Sequence, residues 1–431
     1  MSRGALFADA REIIQRVQTI QVQKSAVAAA TDVETGGVAL RVFHRGQWGH
    51  AAASSFPPPD PETLAEEACE NAASAGRIRQ VPFSNENRLA HHAPPWATPC
   101  ETDPMTISLE EKGDFLRSIL QPAATSNRIA FCVANLFQTR RTVRYASSLG
   151  GSVVQTFIST WPNFAVTTFD ASSRRIDSVN GPTEPLGIGY EYTKRFPFED
   201  EVWKAMDLVD ELQSAKPVTP GVYDLVLDPA HFRRILFETV LPHLDSWSVA
   251  GIDGQQPGTV LFPLASVGSR ILPSPHATLR YDSRMPEGLA TFGWDDAGRP
   301  ADTGVIVREG VFTAPVGSDE LFSFSPAFRG SISRAPGWQT PPRFTMPNIL
   351  FEPESGETRL DDLVSSVKKG LLLEGRPFIE RSINRKWFRV TVPYCRLIEG
   401  GKRTRMVRDI AYETAVTDFW KALARVGGRA S

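Results

Sequence analysis

Two histidines and a glutamate lie close together near the middle of the chain: His231, Glu238 and His243. Imidazole nitrogens and carboxylate oxygens are the usual protein ligands of zinc. A glutamate beside a zinc-bound water can also act as the general base of a hydrolysis. This segment is therefore the first candidate for a metal-dependent hydrolytic site.

A predicted strand and helix position these three residues. The run Tyr223–Leu227 is typical of a buried strand, and Asp228 followed by Pro229 is a helix start, with a capping carboxylate and a proline in the first turn. Apolar residues then recur at close to helical spacing as far as Leu241. Pro242 has no N–H and clashes with the preceding turn, so we expect the helix to loosen by Leu241.

Helical geometry tests whether the three side chains can share one ion. At about 100° per residue, His231 and Glu238 project within about 20° of each other, whereas His243 falls about 120° from His231. One face then offers a single imidazole and a single carboxylate, fewer than the three protein ligands of a catalytic zinc. We therefore interpret His231 and Glu238 as solvated partners and His243 as a helix-end histidine. A displaced ligand set of all three residues remains the alternative.

Other motifs are less informative. Asp295 and Asp296 precede Ala-Gly and predict a surface turn between strands. The glycine-rich run 181–189 lacks a phosphate-loop motif and is interpreted as a connector. Cys132 and Cys395 lie in strand-like runs, which is typical of buried, unreactive thiols. No GxSxG motif is present.

Composition narrows the function classes. The formal net charge is -2, which does not favour binding to nucleic acid or to an anionic membrane. No apolar run is long enough to span a bilayer, and no secretion signal opens the chain. The four cysteines show no metal-binding or disulfide spacing. We expect a cytoplasmic protein.

The pattern of elements predicts an α+β protein of two domains. The first, residues 1–215, combines helices with antiparallel strands, and the second, residues 222–431, is a strand-rich domain with a twisted or barrel-like sheet and a few helices. Within them we predict an amphipathic helix at Ala5–Ile20, paired strands over Arg128–Asp170 and a helix at Leu360–Leu373.

Several segments in sequence order resemble the TldD/PmbA family of metallopeptidase-like proteins. They are GVALRVFHRGQWGHAAAS (37–54), the pair of strands around Ser148–Gln155, GLATFGWDDAGRPADTGVIVREGVF (288–312), Met346-Pro347-Asn348, and CRLIEGGKRTRMVRDIAYET (395–414). Each motif is weak alone, but together they extend over nearly the whole chain. The resemblance implies the two-domain α+β fold of that family.

The resemblance also implies where the active site would be. The family carries H-E-x-x-x-H in the central helix, and a cysteine near the C-terminus completes its zinc shell. Alignment places Phe237 and Pro242 at the two histidine positions and retains Glu238 at the general-base position. His243 lies one residue after the second histidine position, and Cys395 lies before the region of the family cysteine. The resemblance therefore implies that the zinc site is substituted, and we expect no catalytic residue, metal or cofactor.

The function implied by this resemblance is that of a non-catalytic subunit in a TldD/PmbA-type peptidase complex acting on unfolded peptides. The expected partner is a homologous subunit with an intact metal motif, or a second copy of this chain, and no nucleic acid or membrane partner is expected. Two alternatives stay open. One is an active metallopeptidase that binds zinc through the displaced set His231, Glu238 and His243. The other is a peptide-binding or scaffold protein that acts alone.

Overall fold

The computed structural model of the protein describes residues 4–74, 83–251, 261–322, 325–353 and 358–428. In these ranges the helices are α1 (Pro61–Ser74), α2 (Leu109–Ala124), α3 (Tyr192–Arg195), α4 (Phe198–Ser214), α5 (Pro229–Thr239), α6 (Ser246–Ala250), α7 (Asp319–Phe322), α8 (Leu360–Ser365) and α9 (Val416–Lys421). The strands of the N-terminal half are β1 (Phe7–Gln23), β2 (Ala26–His44), β3 (Gln47–Ser54), β4 (Trp96–Ala97), β5 (Phe131–Ser147), β6 (Ser152–Asp170) and β7 (Arg175–Asn180).

The strands that follow are β8 (Lys216–Pro217), β9 (Asp224–Leu227), β10 (Leu279–Asp282), β11 (Thr303–Arg308), β12 (Val311–Phe312), β13 (Val316–Gly317), β14 (Arg329–Ser331), β15 (Ser333–Arg334), β16 (Arg343–Phe344), β17 (Ile349–Phe351), β18 (Lys369–Glu374), β19 (Phe378–Arg381), β20 (Trp387–Val392), β21 (Tyr394–Glu399), β22 (Lys402–Arg408) and β23 (Ile410–Ala415). Helices and strands are mixed along the chain, as the predicted α+β class requires. None of the described helices has the length and apolarity needed to cross a bilayer.

The N-terminal half is built on one sheet of long antiparallel strands. Its order is β3-β2-β1-β5-β6-β4, with β7 also paired to β6. The strands predicted over Arg128–Asp170 are confirmed as β5 and β6, which join through a turn where Gly150 has φ +85°. Helices α2 and α4 cover one face of this sheet, and their buried apolar residues share a core with β5 and β6.

The predicted helix at Ala5–Ile20 is wrong, because this segment forms β1. The strand buries opposite faces in its two halves. Its buried residues are Phe7, Asp9, Arg11 and Ile13 in the first half, then Gln18, Ile20 and Val22 in the second. The first set faces the C-terminal half, since Ile13 packs with Ala335, and the second set faces α2 and α4. The change of face breaks the two-residue period, so apolar residues recur at intervals that imitate a helix.

The C-terminal half contains several smaller sheets around the largest apolar core. A five-stranded sheet has the order β8-β22-β21-β18-β9, and a three-stranded sheet has the order β19-β20-β23. The described sheets are open and none closes into a barrel, so the barrel-like expectation is not met.

The helix predicted at Leu360–Leu373 is correct only for its first part. Helix α8 ends at Ser365, and the apolar run that follows is β18, which lies between β9 and β21. Residues 370–373 are buried. A short apolar run buried on both faces does not alternate, so periodicity alone cannot separate it from a buried helix.

Candidate functional site

The start of α5 is held by one carboxylate. Asp228 accepts hydrogen bonds from the backbone N–H of His231 at 2.6 Å and from that of Gly375 at 2.7 Å. The first bond is the predicted N-cap, and the second connects α5 to the loop after β18. Burial raises the pKa of Asp228 above its ordinary value, although these backbone donors act against the shift. The carboxylate therefore serves to fix the helix against the five-stranded sheet.

The end of α5 agrees with the predicted effect of Pro242. The α-helix ends at Thr239, and a single 3-10 turn follows over Leu241–His243. The Thr239 hydroxyl donates to the carbonyl of Ile235 at 2.7 Å and accepts from the indole N–H of Trp420 at 3.2 Å. Helix α9 therefore anchors the last turn of α5.

His231 is not on a solvated face, so that interpretation is wrong. Its side chain is fully buried, and neither ring nitrogen has a hydrogen-bond partner among the described residues. Burial lowers the pKa of His231 to about 3, which keeps the ring neutral. The buried stripe of α5 contains His231, Ile235, Glu238 and Thr239, which are spaced three and four apart. The helical spacing was predicted correctly, but the inward face of α5 includes polar residues as well as apolar ones.

Glu238 is buried as well, and its partners are arginines rather than His231. Its Oε1 lies 2.8 Å from the Arg234 guanidinium one turn earlier, and its Oε2 lies 3.1 Å from that of Arg381 on β19. Arg385, in the turn after β19, reaches the carbonyl of Pro242 at 3.4 Å. The general-base position is thus surrounded by cationic groups, and both carboxylate oxygens are engaged.

The two positions aligned with the family histidines do not supply metal ligands. Phe237 is 53% exposed, and the Arg234 guanidinium carbon lies 5.7 Å from its ring centroid. Pro242 has no side-chain donor atom. His243 is buried, and its Nδ1 accepts from the backbone N–H of Leu261 at 3.3 Å. That nitrogen is therefore engaged with the backbone.

The donor set does not fit a zinc ion. Among the described residues, no three His, Cys, Asp or Glu side chains come together in a group that could hold a metal. Two guanidinium groups contact Glu238, and their charge opposes binding of a cation at that carboxylate. The structure therefore does not join His231, Glu238 and His243 into a single site. Cys395 is buried in β21, where burial and Glu374 raise the pKa of its thiol to about 12, so it is an inert thiol as predicted.

A cleft of about 350 Å³ opens at the start of α5, between the two halves of the chain. Trp161 and Asn163 of β6 line one wall, and Asp228 and Tyr394 line the other. The run 181–189 is a connector, as predicted, and it contributes Glu184, whose carboxylate binds Arg233 at 2.8 Å and Arg376 at 2.7 Å. Sequence analysis missed this cleft because its walls come from segments far apart in the chain.

The Asp295-Asp296 turn is buried, so its prediction as a surface turn is wrong. Asp295 accepts backbone hydrogen bonds from Ala297, Arg299 and Ser333 at 2.8–3.0 Å. Burial raises the pKa of Asp295 to about 7. Asp296 accepts from the N–H of Ala335 at 2.8 Å and lies 3.4 Å from Arg141 of β5. The turn is a structural element between the two halves of the chain, not a metal-binding pair.

A second buried carboxylate extends this contact. Asp319 lies 2.5 Å from Arg88, 2.8 Å from Arg299 and 3.6 Å from Arg41 of β2. Arg41 also pairs with Asp9 of β1 at 2.5 Å. Asp9 lay in a predicted helix and Arg41 in a strand-like run, and no sequence signal separated these charges from surface charges.

Two family models match parts of this chain. Residues 220–431 match the family model described as PmbA/TldA metallopeptidase C-terminal domain, and residues 8–72 match PmbA/TldA metallopeptidase domain 1. A metalloprotease from Synechocystis sp. is 23% identical over 415 residues, which cover 94% of this chain and 83% of that protein.

Two solved structures share the fold. A proposed modulator of a DNA gyrase from Thermotoga maritima has a TM-score of 0.75 at 16% identity, with 98% of this chain and 91% of that chain covered. TldE from Thermococcus kodakarensis has a TM-score of 0.69 at 17% identity, with 99% and 92% covered. At these identities the structural matches establish the architecture, and function has to be argued from the site.

Proposed function

Because the chain belongs to the PmbA/TldD metallopeptidase family, we propose that it is a non-catalytic subunit of a peptidase assembly of that family. The assembly processes unstructured peptides in the cytoplasm. Its hydrolytic centre belongs to a homologous subunit that carries the intact metal motif, and this chain supplies no metal ligand, catalytic group or cofactor.

The main support for this proposal is the pairing of both carboxylate oxygens of Glu238. A general base in a metallopeptidase needs a carboxylate oxygen free to take a proton from a metal-bound water. In this chain both oxygens of Glu238 are paired with arginines, Arg234 and Arg381. The position aligned with the first family histidine is the exposed ring of Phe237. The helix keeps the family framework, but its side chains form an ion-pair network where the relative named above as a metalloprotease would need a metal site.

The cleft at the start of α5 supports a role in peptide binding. Its wall combines aromatic rings, from Trp161 and Tyr394, with the side-chain amides of Asn163 and Asn180. Amide side chains can donate to and accept from a peptide backbone, and aromatic rings provide apolar contact with little loss of conformational entropy. A cleft of this size accommodates a few residues of an extended peptide, not a folded domain.

Metal content and peptidase activity of the purified chain test this proposal. We expect less than stoichiometric zinc by elemental analysis and no chelator-sensitive cleavage of an unstructured peptide such as casein. Adding the homologous metal-bearing chain should produce cleavage, and a cleft variant of this chain, Trp161→Ala, should reduce it.

Stoichiometric zinc in the isolated chain, lost on His231→Ala or His243→Ala, would overturn the proposal in favour of the displaced-ligand metallopeptidase. Peptide binding by the isolated chain, with no effect on the metal-bearing homologue, would instead favour a protein that acts alone. The matched control is His91→Ala, which removes a solvent-exposed imidazole far from α5 in sequence.

A further inference from the structure

A buried arginine on β1 has no ion-pair partner among the described residues. Arg11 is 1% exposed and belongs to the part of β1 that faces the C-terminal half. Its Nη2 donates to the carbonyl of Thr340 at 3.2 Å. In the described ranges no aspartate or glutamate forms an ion pair with Arg11, and its Nε and Nη1 atoms have no hydrogen-bond acceptor. Two donor atoms of a buried cation are therefore not satisfied by the protein.

A charge in this position is costly to the fold. Arginine cannot lose its proton in a protein, so the Arg11 side chain stays cationic although burial lowers its pKa. A buried ion without a partner carries one of the largest penalties known in folded proteins, and buried charges are therefore paired or bound to an ion. The unused donors of Arg11 thus indicate a bound anion.

The carboxylates near Arg11 are engaged with other arginines. Asp9 directs both of its oxygens to Arg41, at distances of 2.5–3.3 Å. Asp296 attracts Arg11 electrostatically but forms no ion pair with it, and its Oδ2 lies 3.4 Å from Arg141. Neither carboxylate is left to neutralise Arg11.

His50 provides a second unpartnered nitrogen on the same face of the sheet. Arg11 lies opposite Ala39, and His50 lies opposite Arg41, so all four side chains project to one side of the sheet. Arg11 is the charge that acts most strongly on His50. The Nε2 atom of His50 is buried, and no described residue bonds to it. The small side chain of Ala39 leaves space between the guanidinium and the imidazole.

The loop after β15 covers this part of the sheet. Trp338 packs against Gly37, which neighbours Ala39 on the same face, and the carbonyl of Thr340 meets Arg11. The enclosure restricts the ligand to a small ion and excludes a peptide carboxylate or a nucleotide.

We propose that a small monovalent inorganic anion, of the size of chloride, binds between the Arg11 guanidinium and the His50 ring. It accepts from Nε and Nη1 of Arg11, and the tautomer of His50 with a proton on Nε2 supplies a further donor. A monovalent ion is favoured over phosphate because the carboxylates of Asp9 and Asp296 repel a second negative charge. The anion stabilises the contact between the N-terminal sheet and the loop after β15. This site is separate from the substituted metal site and does not depend on the proposed subunit role.

Diffraction from crystals of the unmodified chain locates the anion directly. In crystals grown with sodium bromide in place of sodium chloride, we expect an anomalous peak beside Nε and Nη1 of Arg11. A peak of electron density there without anomalous signal would identify a water molecule and overturn the proposal. Because no substitution is involved, this test does not depend on how well a variant folds.

Thermal unfolding measures whether the anion binds in solution. In sodium chloride, the melting temperature should exceed that in sodium gluconate of equal ionic strength by about 3 °C, at a chloride concentration 100 times the dissociation constant. Arg11→Leu should abolish this difference. The matched control is Arg16→Leu, which removes an arginine of the same strand that is already paired with Asp32 at 2.6 Å, and it should keep the difference.

Two outcomes of the melting experiment would overturn the proposal. One is an equal chloride response in Arg11→Leu and Arg16→Leu, which would indicate a general salt effect. The other is a rise in sodium phosphate of equal ionic strength but not in sodium chloride, which would indicate a different ion. Neither outcome alters the zinc and peptidase tests, so this proposal and the proposed function can fail separately.

The titration of His50 tests the position of the ion. Burial lowers the pKa of His50 to about 4, and the charges of Arg11 and Arg41 lower it further than Asp9 can offset. An adjacent anion favours the imidazolium form, so the pKa should rise in chloride and not in gluconate. Nuclear magnetic resonance of labelled histidines measures this, with His50→Gln to assign the signal. A pKa that is the same in both salts would overturn the placement between Arg11 and His50.

Discussion

Arg381 places its guanidinium 3.1 Å from the Oε2 of Glu238, although the two residues lie on β19 and α5, far apart in the chain. The contact occupies the side of the carboxylate that Arg234 leaves open, since Arg234 binds Oε1. It connects the three-stranded sheet to α5, the helix in which the family resemblance predicts the metal motif. In this chain, both carboxylate oxygens of Glu238 are held in ion pairs.

The first prediction concerns this ion pair. Glu238→Gln leaves two guanidinium groups beside a neutral amide, and hydrogen bonds to charged groups contribute about 1.5–3 kcal/mol. We expect a loss of about 1–2 kcal/mol in the free energy of unfolding, because both arginines are partly exposed and screened. Urea denaturation measures it. The control is Glu67→Gln on the exposed side of α1, expected to change stability by less than about 0.5 kcal/mol.

The same variant separates structural from catalytic roles. If Glu238 were a general base, Glu238→Gln would abolish the peptidase activity of the assembled complex at unchanged stability. We expect instead that activity at a temperature well below the unfolding midpoint remains within about twofold of the parent.

The second prediction restores the family ligands. Phe237→His with Pro242→His rebuilds the H-E-x-x-x-H spacing, and removal of Pro242 allows α5 to continue past Thr239. We expect zinc affinity to rise by roughly 100-fold, about 2.7 kcal/mol, as measured by calorimetry. Each single variant should gain much less, since it supplies only one of the two imidazoles. No gain in the double variant would contradict the alignment of these two positions with the metal motif.

The third prediction concerns acid stability. The pKa of buried His231 is lowered to about 3, below the ordinary value of 6.5, so the unfolded chain binds the extra proton between these two values. The contribution of the neutral His231 ring to the free energy of unfolding is therefore fully present above pH 6.5. It is lost as the pH falls toward 3. In His231→Leu, the free energy of unfolding should therefore fall less steeply with decreasing pH, by about 1.4 kcal/mol per pH unit. Denaturant melts from pH 4 to pH 7 measure the slope, and the exposed His91→Leu should leave it unchanged.

The fourth prediction concerns the contact of the N-terminal sheet with the loop after β15. A Cβ added to Gly37 would lie 2.1 Å from Cδ2 of Trp338, so Gly37→Ala forces the indole to move. We expect a loss of about 1–3 kcal/mol in stability. In the Trp338→Ala background the same substitution should cost much less, and a double-mutant cycle measures the difference.

A matched glycine substitution controls for backbone entropy. In Gly113→Ala, on α2, the added Cβ meets nothing closer than 3.4 Å, so it should be neutral or slightly stabilising. If Gly37→Ala were as well tolerated as Gly113→Ala, the close approach of Trp338 to the sheet would be contradicted.

Local signals predicted much of the architecture. Asp228 with Pro229 correctly marked the start of α5, and Pro242 correctly limited its end, because capping and the missing N–H of proline act within one turn. The motifs that resemble TldD/PmbA proteins identified the family, which the family models confirm.

What the sequence determined by itself was the α+β class, the family, the strand-to-helix frame of α5 and the substitution at Phe237 and Pro242. Only the tertiary structure decided the environment of the polar residues. His231, Glu238 and Asp295 were predicted to be solvated because their types are polar, yet all three are buried. Segments distant in the chain supply the partners of two of them: Arg381 pairs with Glu238, and the N–H of Ser333 donates to Asp295. The physical reason is that capping and turn chemistry depend on neighbours in the chain, whereas burial and charge pairing depend on segments that only the fold brings together.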